Sequence, residues 1–176
     1  FLALMGKFDW FWKAMGSTSE RNNKKSKAVV ANAHGLIEEL SLLDDASLAS
    51  AVASTVRDGA IADKPRFLAG LSVASQRTLG MTPFEVQNQA VLRLLEGDVI
   101  QMATGEGKTL VGAMATTGFA LQGKRVHLIT VNNYLAQRDA EWMRPLVEFF
   151  GLTVAAVTES STREERVTAY RSDVIY

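Results

Sequence analysis

A short apolar stretch, Val99-Ile100-Gln101, runs into Met102-Ala-Thr-Gly-Glu-Gly-Lys-Thr109, which opens onto the apolar helical pattern Leu110-Val111-Gly112-Ala113-Met114. A strand, a glycine loop and a helix in that order form the setting in which a loop holds phosphate. Gly105 and Gly107 permit a tight turn that points successive N–H groups into one concavity. The positive end of the following helix lies at the same place and favours an anion. From there Lys108 can reach the terminal phosphates of a nucleotide, and the Thr109 hydroxyl can coordinate Mg²⁺. A chance glycine turn would require neither the Lys-Thr pair nor the strand ahead of it. The expectation is a nucleotide site built from Thr104, Gly105, Glu106, Gly107, Lys108 and Thr109, with Lys108 as its catalytic group.

At 176 residues and 47% hydrophobic composition, the chain suits one globular domain with an appendage. Nineteen basic residues balance nineteen acidic ones, so no global field draws the chain onto nucleic acid. The absence of cysteine excludes disulfide frameworks and cysteine–histidine zinc sites. His34 and His127 have no partner at metal-binding spacing and read as ordinary surface or strand residues. No apolar run approaches the roughly 18–20 residues of a membrane span. The opening segment lacks a basic leader and a small-residue cleavage site, so a cytoplasmic protein is the expectation. The missing initiator Met suggests that Phe1 is not the true start.

The pattern changes near Gly80. Before it, residues 1–80 read as a helical lead-in. Phe1, Leu4, Phe8, Phe11, Trp12 and Met15 share one helical face ending at Gly16. Ser17-Thr-Ser-Glu20 is a capping box for a helix running to about Leu40. Asp44 or Asp45 caps a third helix that stops at Gly59, and Asp63 with Pro65 starts a fourth that stops at Gly80. From residue 81 to 176 helices alternate with short β-branched strands. Thr82-Pro-Phe-Glu85 is a capping box for a helix ending before Gly97. Strands are expected at Val99–Met102, Val126–Val131, Thr153–Val157 and from Asp173, with helices at Lys108–Gln122, Tyr134–Phe150 and within Thr162–Tyr170. Helices long enough to cross over between apolar strands give a parallel α/β sheet. The sequence stops inside the last strand, which reads as a domain incomplete at its C-terminal end.

Two further clusters narrow the reading. In Gly80-Met-Thr-Pro-Phe-Glu-Val-Gln87, the Gln87 amide offers the donor and the acceptor that the edge of adenine requires together. Met81 and Phe84 supply apolar surface for the purine ring. The alternative for this segment is a capped surface helix with a buried Phe. This layout resembles the Q motif of superfamily 2 helicase-type ATPases. Met102 in place of the first Gly of G-x-x-x-x-G-K-[ST] is also typical of helicase-like motors. Thr130-Val-Asn-Asn-Tyr-Leu-Ala-Gln-Arg138 matches the Ia motif of the same superfamily, against the plainer reading of a capped helix with Leu135 in the core.

The blocks Met102–Leu110, Thr130–Glu141 and Phe149-Phe-Gly-Leu-Thr-Val154, with Gly80-Met81 and Phe84–Gln87, resemble the SecA preprotein translocase ATPases. The likeness is close from about Gly80 to Tyr176 and looser in the helical lead-in. The Ala-Thr-Gly-Glu-Gly-Lys-Thr run and Asp139-Ala-Glu-Trp-Met143 are similar to the accessory, second-copy SecA of Gram-positive bacteria. The housekeeping form has Arg at the position of Ala103, Asp at Asn133, and a smaller apolar pair where this chain has Asn88-Gln89. Loss of an Arg beside the phosphates removes one cationic contact.

The resemblance implies the first part of the first of two RecA-like halves, with ATP and Mg²⁺ bound between the halves. The Walker B acids and the arginine fingers would then lie beyond Tyr176, leaving this fragment inactive alone. It further implies preprotein substrates, a SecYEG-type membrane channel as partner, and a position at the inner face of the cell membrane. A homodimer is left open, and nucleic acid is not expected as a partner. The rival readings are a superfamily 2 nucleic-acid helicase and a non-catalytic nucleotide-binding module. Trp10, Trp12, Phe8 and Phe11, with Lys7, Lys13 and the basic run Arg21–Lys27, also fit an interfacial segment that meets anionic lipid through residues 1–27. A stripe packed on its own protein fits the same spacing.

Overall fold

The computed structural model describes the backbone of residues 18–176 and the side chains of residues 23–176. The aromatic stripe Phe1–Met15, its helix, and the side chains of residues 17–22 lie outside the described residues. Helix α1 spans Thr18–His34. Lys24, Lys25 and Lys27 of the basic run are exposed on it, whereas Ser26 is buried. The expected continuation to Leu40 is broken at Gly35, and a separate short helix, α2, covers Ile37–Ser41.

Asp44 caps α3 (Asp45–Ala53), its carboxylate accepting from the Ser47 N–H at 2.8 Å. The helix expected to reach Gly59 stops earlier. An antiparallel hairpin follows instead, β1 (Val56–Arg57) paired with β2 (Ala60–Ile61). Its turn is Asp58-Gly59 with φ of +52° and +72°, the doubly left-handed geometry that the Asp-Gly pair tolerates. Asp63 then caps α4 (Lys64–Leu79), which has Pro65 in its first turn and ends on Gly80 at φ +67°.

Helix α5 (Glu85–Leu95) begins two residues later than the Thr82 box would require. Thr82 instead donates its hydroxyl to Gln76 Oε1 at 2.6 Å, and the N-cap position falls to Phe84. Phe84 has no side-chain oxygen to offer the helix. Gln87 takes over the reciprocal part of the cap, its Oε1 accepting from the Phe84 N–H at 2.9 Å.

The segment Val99–Met102 forms no ladder. The parallel sheet holds three strands in the order β3 (Val126–His127), β5 (Val174–Ile175), β4 (Val154–Ala155). Among the described residues no strand pairs with Val99–Met102, and a strand requires a partner for its N–H and C=O groups. The strand expected at Val126–Val131 covers Val126–His127 only. Its register, Val126 against Val174 and His127 against Ile175, closes with Leu128 donating to the Ile175 carbonyl at 2.8 Å.

Helices α6 (Lys108–Leu121), α7 (Asn133–Phe149) and α8 (Arg163–Ala169) complete the alternation. Helix α6 is buried nearly all round, with Leu110, Val111, Ala113, Met114 and Ala120 inside, as expected of a helix at the centre of a domain. The larger hydrophobic core crosses position 80, joining Leu40, Phe67 and Leu71 to Val91, Met114 and Met143. Two glycines permit close approaches within it. A Cβ on Gly70 would lie 2.2 Å from Val52 Cγ2, and one on Gly118 would lie 2.8 Å from Leu95 Cδ2.

Asp173, at the start of β5, accepts from the Thr153 hydroxyl at 2.7 Å and the Thr153 N–H at 2.8 Å. These bonds, the hydroxyl's first, hold its carboxyl below the usual carboxylate range. A lowered folded-state pKa adds stability that is complete above the unfolded value of about 3.9 and is lost as pH falls through the folded value. Asp173→Asn should therefore destabilise the fold at pH 7 and remove part of the loss seen below about pH 4. Denaturation midpoints of both proteins at pH 3 and pH 7 check this; an equal gap at the two pH values contradicts it.

Candidate nucleotide site

Gly105 and Gly107 take φ of +87° and +78°, which turn the loop back on itself before α6. Gly107 is fixed twice over. Its φ is one that side chains rarely adopt, and a Cβ there would meet Gln87 Nε2 at 2.3 Å. That close approach joins two parts of the site, because Gln87 Nε2 also donates to the Glu106 carbonyl at 2.8 Å. The amide's orientation is set from both ends: a flipped Gln87 would point its NH₂ at the Phe84 N–H and its oxygen at a carbonyl. Gln87 is buried at 6% exposure, yet each end of the amide keeps one unused hydrogen-bonding position.

A cavity of about 530 Å³ lies where these parts meet. Met81, Phe84 and Gln87 line it from the α4–α5 loop and the first turn of α5, and Gly105, Gly107, Lys108 and Thr109 line it from the loop and the start of α6. The Met81 backbone is held by Ser75, whose hydroxyl donates to the Met81 carbonyl at 2.6 Å. Lys108 is folded onto its own loop, Nζ donating to the Ala103 carbonyl at 2.7 Å.

Two of the residues expected at the site stand apart from this cavity. Thr104 is exposed and outside its lining. The Glu106 side chain turns away, its Oε2 accepting from the Ala103 N–H at 2.6 Å, and lines a cleft of about 630 Å³ beside residues 98–102. That cleft holds neither Lys108 nor Thr109. Trp142 and Met143 of α7, by contrast, line the 530 Å³ cavity as its third wall, together with Leu110. Sequence reasoning missed them because helical spacing cannot say which neighbour a face of α7 meets.

The Ia-like segment is an ordered helix start. Asn132 caps α7, its side chain accepting from the Leu135 N–H at 2.9 Å. The Arg138 guanidinium sits 5.7 Å from the Tyr134 ring centroid and is paired with buried Asp139. Asn133, one of the positions that departs from the housekeeping pattern, accepts from the Glu159 N–H at 3.2 Å. Asn88, another, is buried and takes the Ser72 hydroxyl at 3.4 Å. His127 stacks on Tyr170 with ring centroids 5.8 Å apart. Burial and the Asp139 carboxylate push the Tyr176 phenol above its usual range, and its hydroxyl has no hydrogen-bond partner among the described residues.

Comparison with known proteins identifies the family. The model of the SecA DEAD-like domain matches residues 11–176. The chain is 61% identical over 172 residues to protein translocase subunit SecA 2 of Corynebacterium efficiens, covering 98% of this chain and 22% of that protein. It is 53% identical to the SecA 2 of Corynebacterium jeikeium, covering 96% of this chain and 23% of that one. The SecA 2 of Mycobacterium leprae is 49% identical over 168 residues, 94% of this chain and 22% of the relative. The chain thus spans less than a quarter of the length of these relatives, and its likeness runs to second-copy forms, as the Ala103 loop and the Asp139–Met143 block suggest. With a family model matching nearly all of its length and relatives more than half identical to it, the chain belongs to the SecA family.

Proposed function

We propose that this chain is the nucleotide-holding part of a motor that couples ATP hydrolysis to the movement of preproteins across the cytoplasmic membrane. The observation that carries the proposal is the single cavity shared by Lys108 and Thr109 on one side and Met81, Phe84 and Gln87 on the other. A cation, a hydroxyl and a helix N-terminus fit a magnesium-bound triphosphate. An apolar surface with a half-free amide fits adenine. In this reading residues 81–176 begin the first RecA-like half, and residues 1–80 are its helical lead-in. Bound ATP supplies the phosphoanhydride whose hydrolysis drives the motor. Lys108 neutralises its terminal phosphates, Thr109 holds Mg²⁺, the Thr104–Gly107 loop wraps the phosphates, and Gln87 selects the base.

That the relatives are protein translocase subunits favours preproteins over nucleic acid as the cargo. By the same likeness the whole protein works from the cytoplasm at the inner face of the membrane against a SecYEG-type channel. No helix among the described residues is long and apolar enough to cross a membrane. ATP turnover by the full-length protein separates a motor from a module that only binds nucleotide.

Base selection gives the most direct test of the site. Gln87→Ala in the full-length protein should weaken ATP binding by about 1–3 kcal/mol, the cost of leaving a buried polar edge unpaired. It should also narrow the preference for ATP over GTP, since guanine presents the opposite donor–acceptor pattern. Calorimetric titration with both nucleotides is the measurement. The same ATP-to-GTP affinity ratio in mutant and parent removes Gln87 from base recognition.

A further inference from the structure

Trp142 stands on the one wall of the cavity that neither the phosphate loop nor the α4–α5 segment supplies. Its helix is anchored firmly at this point. Met143 and Leu146 are fully buried at 0% exposure, and Arg144 donates to the Val154 carbonyl at 3.0 Å, tying the same turn to β4. Trp142 itself is 48% exposed, so half of a large rigid ring faces open space on a helix that cannot turn to hide it. Phe84, on the facing segment, is 72% exposed and lines the same cavity. Two uncovered aromatic rings from separate elements therefore share a cavity with the loop expected to hold phosphates.

We propose that Trp142 is a base-positioning residue, its indole stacking on the purine of the bound nucleotide with Phe84 as the second apolar surface. This inference rests on the nucleotide-binding reading given above. It divides the work of binding between two residues of different chemistry. The Gln87 amide reads hydrogen-bond donors and acceptors and so tells one base from another. An indole face meets the π-face that every base has, so it adds affinity without regard to base identity. The ring also brings little rotational freedom to be lost on binding, because Trp has only two side-chain torsions. The loop Lys108 would hold the polyphosphate, and Trp142 would hold the opposite end of the same ligand.

The test uses the full-length protein and three probes measured by calorimetry: ATP, GTP and inorganic triphosphate, each with Mg²⁺. Trp142→Ala and Trp142→Leu should each weaken ATP and GTP by a similar factor, about tenfold or more. Inorganic triphosphate, which has no base, should bind parent and variants alike. Trp142→Phe should restore most of the nucleotide affinity, because it returns an aromatic face. The leucine variant keeps apolar bulk at the position, so it reports on stacking even if the alanine variant fails to fold. Unchanged ATP affinity in the leucine variant overturns the proposal. So does an equal loss for inorganic triphosphate, which would place the effect in the loop, and so does a loss confined to one nucleotide. If Lys108→Ala abolishes nucleotide binding while the Trp142 variants do not alter it, the site stands and only the role of Trp142 falls. If the parent itself binds no ATP, both fall.

Discussion

Replacing Lys108 with alanine in the full-length protein is expected to lower ATP turnover at least about a hundredfold while leaving the fold intact, the scale on which loss of one preorganised stabilising group acts. The two halves of that expectation come from different observations. Lys108 lines the cavity at the first position of α6, where a cation can meet phosphates gathered at the helix N-terminus. In the free protein its only described bond is to the Ala103 carbonyl, and the side chain is exposed, so truncation leaves no buried group unpaired. Phosphate release at saturating ATP measures the first half, and thermal melting of the variant measures the second. Turnover equal to that of the parent would remove the phosphate-loop assignment. A melting temperature far below the parent's would mean that Lys108 is structural.

The largest effect on stability is expected at a residue far from any ligand. Phe67 is fully buried in the first turn of α4, and its ring tip lies against α6: a Cβ on Gly118 would come within 3.3 Å of Phe67 Cζ. Phe67→Ala removes that ring from a position where the neighbouring helices cannot close in, since α4 is also locked against Val52 through Gly70. The loss should be about 3–5 kcal/mol, combining transfer and cavity costs. Chemical denaturation of the full-length protein reads it as a shift in the first transition. A change below about 1 kcal/mol would mean that the core collapses around the gap.

Much of this arrangement could be read from the sequence because its signals were local. Asp63, Pro65 and Gly80 bound α4 through capping chemistry that involves only nearby residues. The loop around Gly105 and Gly107, and the alternation of helix and strand after it, are equally local. The failures share a different cause. Val99–Met102 has the composition of a strand, yet a ladder depends on a partner that composition does not name. The Asp58-Gly59 hairpin carries a legible turn signal, but the helical pattern of the preceding residues runs into it and masks two strands of only two residues each. Thr82 looked like a cap until Gln76, a helix turn away on α4, offered its own oxygen. At the candidate site, Gln87 and Phe84 were visible beside the loop in sequence. The wall supplied by Trp142 was not, because the packing of α7 on α4 and α6 is long-range information.

The core that crosses position 80 bears on how such a domain can be inherited. Leu40, Phe67 and Leu71 pack with Val91, Met114 and Met143 in one cluster, so the helices before Gly80 are part of what shapes the loop that follows. A recombination event that moved residues 81–176 alone into another protein would carry the phosphate loop without the apolar partners of α5 and α6. The receiving chain would have to provide matching helices at once, or expose that surface to water. The heritable unit is therefore longer than the motif-bearing half, and substitutions in α4 and α6 should drift as correlated pairs. Grafts intended to change the nucleotide behaviour of a relative would succeed more often with a junction before α1 than with one at Gly80.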